Sequence, residues 1–449
     1  MFVGRKRELA YLEDLYNRDQ SNILCMYGHK GVGKTSLMLS FANNKNYIYM
    51  MSRACTEEQT LYMLGLENGI EYAGSQPTFT ELFEKLSFSG NGKKILIIDE
   101  FHNIVKYSTN FMPELVKFVE SQGNNIFVIL CSSSISFVEN TFVSKVGALA
   151  QRLSGFFKVN PLSFADCVKY FDGYDTLSCM EVYSLLGGMP SLWASFSDKR
   201  SVAENIKSAM LDGNGALRSA GIDIITEELR EINVYSTILY YLANDKNKLN
   251  ELHSNTGFSR AKISVYIKNL MEREIVEKVF SFDNASSTNA KKGVYRIKSP
   301  YLHFFFKFIF KYESKLVSMG PDKFYESVVL PELDDFYEEH FKSICTEFLT
   351  LLNQMGQLPI KATSIGEWVG KKGNIDVVMQ DDEDSIVAFC NWKNPEITMS
   401  DYKRYLGIAS DARIHADYIV ILAKGAFSQE LSQFADNLDN IMLIDANTL

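Results

Sequence analysis

The sequence predicts an α/β fold built around a parallel β-sheet, and two stretches of the chain carry this prediction. An apolar run at residues 23–27 precedes a glycine-rich stretch, residues 28–36, which reads GHKGVGKTS and leads into a helix-forming segment. A second apolar run, residues 95–98, ends in Asp99 and Glu100. Uninterrupted apolar runs are typical of strands that are covered on both faces of a parallel sheet.

The glycine-rich stretch has the pattern that a phosphate cradle needs. Glycines allow successive backbone N–H groups to turn inward, and the following helix directs its positive N-terminal end at the anion. In the pattern G-x-x-x-x-G-K-T, Lys34 reaches the phosphates and the Thr35 hydroxyl can ligate Mg²⁺. The residues predicted to surround the nucleotide are Gly28, Lys30, Gly31, Val32, Gly33, Lys34, Thr35 and Ser36. The stretch therefore predicts a P-loop NTPase site.

The acidic pair after the second apolar run supplies the remaining chemistry. Asp99 is predicted to hold Mg²⁺, and Glu100 is predicted to orient and polarise the attacking water. Ligands of open parallel sheets bind at the carboxyl ends of the strands, so both stretches belong at one site. Together they predict an ATPase with a catalytic glutamate, Lys34 as a catalytic cation, and ATP and Mg²⁺ as its ligands.

Composition narrows the class of protein. A length of 449 residues suggests two to four domains, and a net charge of −9 argues against a polycationic nucleic-acid coat. Seven scattered cysteines without a C-x-x-C pair predict reduced thiols and a cytoplasmic location. The charged N-terminus does not read as a signal peptide. The most apolar segment, residues 301–312, is short and contains Lys307, so no membrane span is expected.

The opening of the chain adds a family resemblance. Residues 2–5 read FVGR, and Glu8 and Leu9 follow, about two dozen residues before the phosphate loop. This opening resembles the archaeal-type P-loop ATPase family, a STAND and AAA-related branch that also occurs in bacteria. In that family the segment lies against the adenine. The resemblance therefore implies that Val3, Gly4 and Arg5 line the nucleotide pocket.

Two further positions acquire roles from the same resemblance. The apolar run 127–131 ends in serines, and the family has a polar residue there that senses the γ-phosphate. Ser132 or Ser133 is the candidate, with capping of the next helix as the alternative. Arg152 matches the arginine before the family's Pro-Leu-Ser-Phe, here residues 161–164. It is expected to face the nucleotide in its own chain or across a subunit boundary, with a surface ion pair as the alternative.

The resemblance covers most of the chain and divides it into five parts. They are a P-loop ATPase core at 1–164, a helical lid at 165–225, a winged helix-turn-helix at 226–300, a helical connector at 301–330 and a restriction-endonuclease-like α/β domain at 331–449. Within the predicted lid, residues 187–190 read GGMP and match the family's Gly-Gly-x-Pro. Proline after two glycines is expected to fix a bend between lid helices.

The predicted winged helix is basic although the whole chain is acidic. Residues 259–298 contain nine Lys or Arg and four Asp or Glu, an asymmetry that contact with nucleic-acid phosphates requires. Arg260, Lys262 and Lys268 lie on the predicted third helix, where groove contacts arise. DNA contact is one interpretation. The alternative is a packing or signalling module.

The C-terminal domain matches an endonuclease-like fold but departs from its third motif. Glu338 and Asp376 match two metal-binding carboxylates, whereas Glu-x-Lys is replaced by Phe389-Cys390-Asn391. Phenylalanine cannot bind a metal and asparagine carries no positive charge, so nuclease activity is not expected. A retained fold that serves docking or DNA shape recognition is the favoured interpretation.

The sequence therefore predicts an ATP-binding and slowly ATP-hydrolysing molecular switch. The nucleotide state would set the arrangement of the lid, winged helix and C-terminal domain, with a protein partner or self-association, and with no membrane. The alternative is a DNA-binding regulator or defence component that binds ATP but hardly hydrolyses it. A third interpretation is a scaffold whose nucleotide is purely structural.

Overall fold

The computed structural model describes residues 2–73, 76–226, 229–282, 293–370 and 373–448. The chain forms two compact units. The first unit contains residues 1–162 and 189–191, and the second unit contains residues 163–188 and 192–449.

The first unit is a five-stranded parallel sheet with helices. The strands lie in the order β2-β3-β4-β1-β5. Their bounds are β1 (Asn22–Tyr27), β2 (Tyr47–Met51), β3 (Lys94–Asp99), β4 (Ile126–Ser132) and β5 (Gly155–Lys158). The helices are α1 (Lys6–Asn17), α2 (Lys34–Ala42), α3 (Glu57–Glu67), α4 (Phe79–Glu84), α5 (His102–Val105), α6 (Phe111–Ser121), α7 (Ile135–Phe137) and α8 (Val143–Val146).

Both faces of this sheet are buried, as the apolar runs predict. Side chains alternate between the two faces of a strand, so neighbouring residues of β1 enter different cores. Ile23 and Cys25 pack into one apolar cluster, and Leu24 and Met26 pack into the other. Because neighbouring strands run parallel, the carboxyl ends of β1, β3 and β4 meet at one edge of the sheet.

The second unit contains most of the helices of the described residues. They are α9 (Phe164–Tyr170), α10 (Thr176–Leu186), α11 (Pro190–Trp193, whose first two residues belong to the first unit), α12 (Val202–Asn205), α13 (Ala220–Thr226), α14 (Ile232–Leu242), α15 (Leu249–Thr256), α16 (Arg260–Glu272), α17 (Pro300–Phe304), α18 (Glu313–Met319), α19 (Pro321–Phe324), α20 (Leu330–Gln354), α21 (Met399–Ala412) and α22 (Gln429–Asp436). Runs of π-helix occupy Val138–Phe142 in the first unit and Ile206–Leu211, Phe305–Phe310 and Tyr325–Val329 in the second.

A mixed sheet forms the C-terminal part of the second unit, with the order β14-β12-β10-β9-β8. Its strands are β8 (Ser364–Val369), β9 (Asn374–Gln380), β10 (Ser385–Asn391), β12 (Tyr418–Ala423) and β14 (Ile441–Asp445), and a separate short pair contains β11 (Glu396–Ile397) and β13 (Ala426–Phe427). The strands β10, β12 and β14 run parallel, whereas β8 and β9 are antiparallel to their neighbours. The predicted α/β class, with a parallel sheet and a second α/β domain, is confirmed.

In the second unit, before the C-terminal sheet, α14, α15 and α16 are followed by an antiparallel strand pair, β6 (Val276–Phe280) and β7 (Gly293–Ile297). Three helices followed by a strand pair is the order that a winged helix-turn-helix would have, and that assignment stays a prediction. Ser259 caps α16 by accepting a hydrogen bond from the Lys262 amide. Residues 283–292, between β6 and β7, lie outside the described residues. The five predicted domains divide the chain more finely than the two compact units do, and their four boundaries stay predictions.

The second unit buries a carboxyl group whose titration should be visible in its stability. Burial raises the pKa of Glu181 on α10 to about 7, Lys424 opposes the rise, and Asp175 and Asp334 add to it. A raised folded-state pKa gives stability that is present below the ordinary glutamate pKa and is lost as pH rises through about 7.

Glu181→Gln should therefore remove a pH-dependent loss of stability. We expect the variant to be more stable than the wild type by roughly 1–3 kcal/mol at pH 8, with a smaller difference at pH 5. Urea unfolding at both pH values measures this, with the exposed Glu396→Gln as the matched control. A difference that is the same at both pH values would contradict the assignment.

Candidate nucleotide site

The phosphate loop joins the end of β1 to the start of α2, and its backbone conformation requires glycine. Gly28 has φ 155° and Gly31 has φ 83°. A Cβ on Gly28 would lie 2.4 Å from the Val159 carbonyl oxygen, and one on Gly31 would lie 2.2 Å from the Ser191 Oγ. Neither position has room for a side chain. With glycine at both positions, no side chain covers the main-chain amides of the loop there.

Lys34 lies at the first position of α2 and is 5% exposed. Its Nζ donates hydrogen bonds of 2.9 Å to the carbonyl oxygens of Gly28 and His29. The amino group is thus held across the loop by main-chain acceptors that a phosphate oxygen can replace. Lys30, Ser36 and Thr35 are exposed along the same loop and helix start, whereas the Val32 side chain is buried.

The Asp99 carboxylate at the end of β3 is 3% exposed and fully engaged. Its Oδ2 accepts hydrogen bonds from the Thr35 hydroxyl at 2.8 Å and the Tyr49 hydroxyl at 2.9 Å. Its Oδ1 accepts from the Glu100 amide at 2.9 Å. The two residues predicted to hold Mg²⁺, Thr35 and Asp99, therefore lie together, and their hard oxygen donors are those that Mg²⁺ prefers.

Glu100 follows β3 in a left-handed backbone conformation, with φ 54°. Its Oε2 accepts from the Ser133 amide at 3.0 Å and the Ser133 hydroxyl at 2.8 Å, and the His102 Nδ1 lies 3.1 Å away. Burial opposes the carboxylate charge, but hydrogen bonds from His102 and Ser133 outweigh it and lower the pKa to about 2. The side chain is therefore ionised, as a catalytic base requires.

Ser132 and Ser133 make different contacts, and sensing of the γ-phosphate by either of them stays a prediction. The Ser132 hydroxyl is fully buried at the end of β4, accepts from the Ser134 amide at 3.1 Å and lies 3.0 Å from the His102 Nδ1. Ser133 binds Glu100 instead. The His102 Nδ1 therefore lies between the Ser132 hydroxyl and the Glu100 carboxylate, within hydrogen-bonding distance of both.

The N-terminal segment lies beside the phosphate loop. Arg5 is buried, and its guanidinium donates at 2.8 Å to the carbonyl oxygens of Val32 and Asn160 and pairs with Glu8. Arg5 thus ties the loop to α1 and to the segment after β5. Val3 and Gly4 are partly exposed next to it, and their predicted contact with adenine stays a prediction.

Arg152 lies away from these groups in its own chain. Its side chain is 63% exposed and forms an ion pair of 3.3 Å with Glu120 on α6. This is the surface ion pair that the sequence left as an alternative. A role across a subunit boundary stays a prediction.

The Gly-Gly-x-Pro segment contributes to the site more directly than a bend alone would. Residues 189–191 belong to the first unit, although the residues on either side belong to the second. The Ser191 amide donates to the Gly31 carbonyl oxygen at 3.3 Å, and the Pro190 ring lies 4.0 Å from the place of a Cβ on Gly33. Residues 189–191 therefore contact the phosphate loop.

The carboxylates of the predicted nuclease-like site hold the main chain. The Glu338 Oε2 accepts from the amides of Trp392 at 2.5 Å and Lys393 at 3.2 Å, and the Asp376 Oδ2 accepts from the Cys390 amide at 2.9 Å. Burial raises the pKa of Glu338, and it raises the pKa of Asp376 to about 6.

The residues at the position of the third nuclease motif, Phe389 and Asn391, make packing and main-chain contacts. The Phe389 ring stacks on Tyr405 with centroids 4.3 Å apart, and the Asn391 Oδ1 accepts from the Asn394 amide. Within the described ranges, no group of three or more His, Cys, Asp or Glu side chains is arranged to hold a metal ion.

The predicted DNA-contact residues lie on α16. The Arg260 Nε donates to the Asn250 Oδ1 at 3.1 Å, and Lys268 is 76% exposed beside Glu272. The Lys262 Nζ lies 4.6 Å from the centre of the Phe258 ring. The outer face of the helix is thus basic, and Lys262 packs on an aromatic ring.

Sequence reasoning missed Tyr49, His102 and Ser191. Tyr49 reaches the site from β2, and no local pattern marks it. Ser191 comes from a distant part of the chain, where its position directly after the Gly-Gly-x-Pro segment was the available signal. His102 lies two residues after Glu100, so its closeness in sequence was the one available signal.

The comparisons with known proteins agree with this site. Residues 2–196 match a family described as an ATPase domain predominantly from Archaea, and residues 305–405 match a family of archaeal and bacterial proteins of unknown function. The chain therefore belongs to the archaeal-type P-loop ATPases, as its motifs predict, and carries that second family's domain at its C-terminal side.

The chain is also similar to individual proteins. An uncharacterised protein of Methanocaldococcus jannaschii is 27% identical over 411 residues, 90% of each chain. An uncharacterised ATP-binding protein of the same organism is 47% identical over 45 residues, 10% of this chain and 76% of its own. Among solved structures, a Walker-type ATPase of Pyrococcus abyssi has a TM-score of 0.48 at 17% identity, over 68% of this chain and 96% of its own.

The part of the chain that the structure describes has no helix long and apolar enough to cross a membrane.

Proposed function

We propose that this protein binds Mg·ATP at the carboxyl edge of its first sheet and hydrolyses it slowly as a molecular switch. The observation that carries the proposal is the convergence at one edge of the glycine loop, the Lys34 amino group, the Thr35–Asp99 pair and the ionised Glu100. These groups supply phosphate binding, metal binding and a base.

Each group has a defined task in this proposal. Lys34 exchanges its two carbonyl acceptors for phosphate oxygens. Thr35 and Asp99 hold Mg²⁺, which supplies charge neutralisation on the phosphates when it is bound. Glu100 orients water and accepts its proton at a carboxylate oxygen.

The switch is supported by residues 189–191. This segment contacts the phosphate loop, and the chain leaves it on both sides into the second unit. In the second unit, the Glu347 carboxylate of α20 accepts from the Phe164 amide at 2.8 Å and from the Tyr183 hydroxyl at 3.2 Å. A change in the loop on nucleotide exchange would therefore act on α9 and α10, the helices that are hydrogen-bonded to α20.

Phosphate release and hydrodynamic size, measured together with ADP, ATP and a slowly hydrolysed ATP analogue, test the proposal. We expect slow release and a different size in the ADP and ATP states. Release without any change of size or association would contradict the switch. Nucleotide that cannot be exchanged would instead identify a structural ligand.

DNA binding is a second candidate function, and the exposed basic face of α16 favours it. Arg260→Ala with Lys262→Ala should weaken retention on duplex DNA and lower the salt dependence of binding by about one unit of slope per lost phosphate contact. Filter binding at several salt concentrations measures this, with the exposed Lys403→Ala on α21 as the control. Equal retention of the double variant and wild type would contradict α16 as the contact.

We also propose that the C-terminal domain does not cleave DNA, since Glu338 and Asp376 are used by main-chain amides and Phe389 fills the third position. Duplex and single-stranded DNA incubated with the protein and Mg²⁺ or Mn²⁺ should stay intact on a gel. Cleavage that Asp376→Ala abolishes would overturn this.

A further inference from the structure

The Asp99 carboxylate has a partner that neither the phosphate loop nor the acidic pair provides. Tyr49, on the neighbouring strand β2, donates its hydroxyl hydrogen to the Asp99 Oδ2 at 2.9 Å, beside the Thr35 hydroxyl at 2.8 Å. Both donors reach the same oxygen of a carboxylate that is 3% exposed. The position of this oxygen is therefore fixed from two sides.

The geometry of the sheet explains why a tyrosine can make this contact. The strands β2 and β3 are parallel, and Tyr49 lies opposite Ile97. Asp99 lies two residues further along β3 on the same face, a rise of about 6.6 Å. A long, rigid side chain that leans along the strand spans this distance. The Tyr49 ring is in turn packed against the apolar cluster that contains Ile97 and Met38.

We infer that Tyr49 is a positioning residue for the magnesium site. It acts through Asp99, and the inference rests on the proposed function. Thr35 lies on α2 and would itself hold the cation, so its contact with Asp99 is part of the metal site. Tyr49 supports Asp99 from behind that pair, from a different strand. Partners of this kind set the orientation of metal-binding carboxylates, and their loss typically weakens metal affinity about 10–100-fold.

Tyr49→Phe separates this role from a purely structural one. The substitution keeps the ring and its packing and removes the hydroxyl. Tyr47→Phe is the matched control, because Tyr47 lies on the same strand two residues earlier and is 42% exposed. Thermal unfolding should show both variants folded at the assay temperature, with Tyr47→Phe matching the wild type and Tyr49→Phe less stable by no more than one hydrogen bond to a charged group.

The test is a binding measurement with a fluorescent ATP analogue, titrated in EDTA and then with increasing Mg²⁺. For Tyr49→Phe we expect the Mg²⁺ concentration that gives half of the metal-dependent gain in affinity to rise about tenfold, with affinity in EDTA unchanged. Tyr47→Phe should titrate as the wild type does.

Three results would overturn the inference. One is a Tyr49→Phe titration that coincides with the wild type, and another is an equal loss of affinity with and without Mg²⁺, which would identify a structural role. The third is a wild type whose nucleotide affinity does not respond to Mg²⁺. A wild type that binds no nucleotide in either buffer overturns the proposed function itself, so the two failures are distinguishable.

Discussion

Lys34→Ala is expected to weaken ATP binding about 100-fold or more. The wild-type amino group is buried and already directed across the phosphate loop by two hydrogen bonds of 2.9 Å. In the complex it would make charge-assisted hydrogen bonds worth roughly 1.5–3 kcal/mol each, and two of them correspond to about that factor. Equilibrium titration with a fluorescent ATP analogue in the presence of Mg²⁺ measures the loss.

The control for this variant is Lys117→Ala on α6. Lys117 is 69% exposed and pairs with Glu114, so its loss removes the same charge from the first unit without touching the loop. The control should bind as the wild type does. If folded Lys34→Ala bound ATP with wild-type affinity, the nucleotide would bind elsewhere, and the carboxyl edge of the first sheet would not be the binding site.

The parts of this site that local sequence predicts are those whose chemistry needs a fixed spacing along the chain. The glycine loop and Lys34 follow one strand and open one helix, so the seven consecutive positions from Gly28 to Lys34 specify them. Asp99 and Glu100 end an apolar run and are adjacent. In both cases the backbone alone brings the groups to the carboxyl edge of the sheet.

The remaining parts depend on contacts between distant segments. The Tyr49 hydroxyl reaches Asp99 only because β2 and β3 pair in one register, which no local pattern specifies. Arg5 was predicted to line the nucleotide pocket from a family resemblance, whereas its guanidinium donates to the main chain of Val32 and Asn160. Its place in the nucleotide pocket stays a prediction. These main-chain contacts could not be predicted, because a buried guanidinium requires acceptors that only folding brings together.

For Glu100, the sequence predicts the role of the residue but not the residues that contact its carboxylate. Its identity as the candidate base follows from its position after Asp99, but its present contacts come from β4 and α5. Ser133 provides two donors and His102 provides a third, all directed at Oε2. A carboxylate with this many donors is ionised but weakly basic, so the resting arrangement is consistent with the slow turnover that we propose.

Glu100→Gln is expected to lower phosphate release about 100- to 10,000-fold, the usual contribution of a general base. The amide oxygen of glutamine can accept the same hydrogen bonds from Ser133 and His102, so the fold and ATP affinity should be retained. Single-turnover phosphate release and nucleotide titration, measured on the same preparation, separate the two effects. The exposed Glu58→Gln on α3 removes an equal charge and should leave both unchanged. If Glu100→Gln released phosphate at the wild-type rate, another group would be the base, and the contacts of Ser133 and His102 with this carboxylate would be structural.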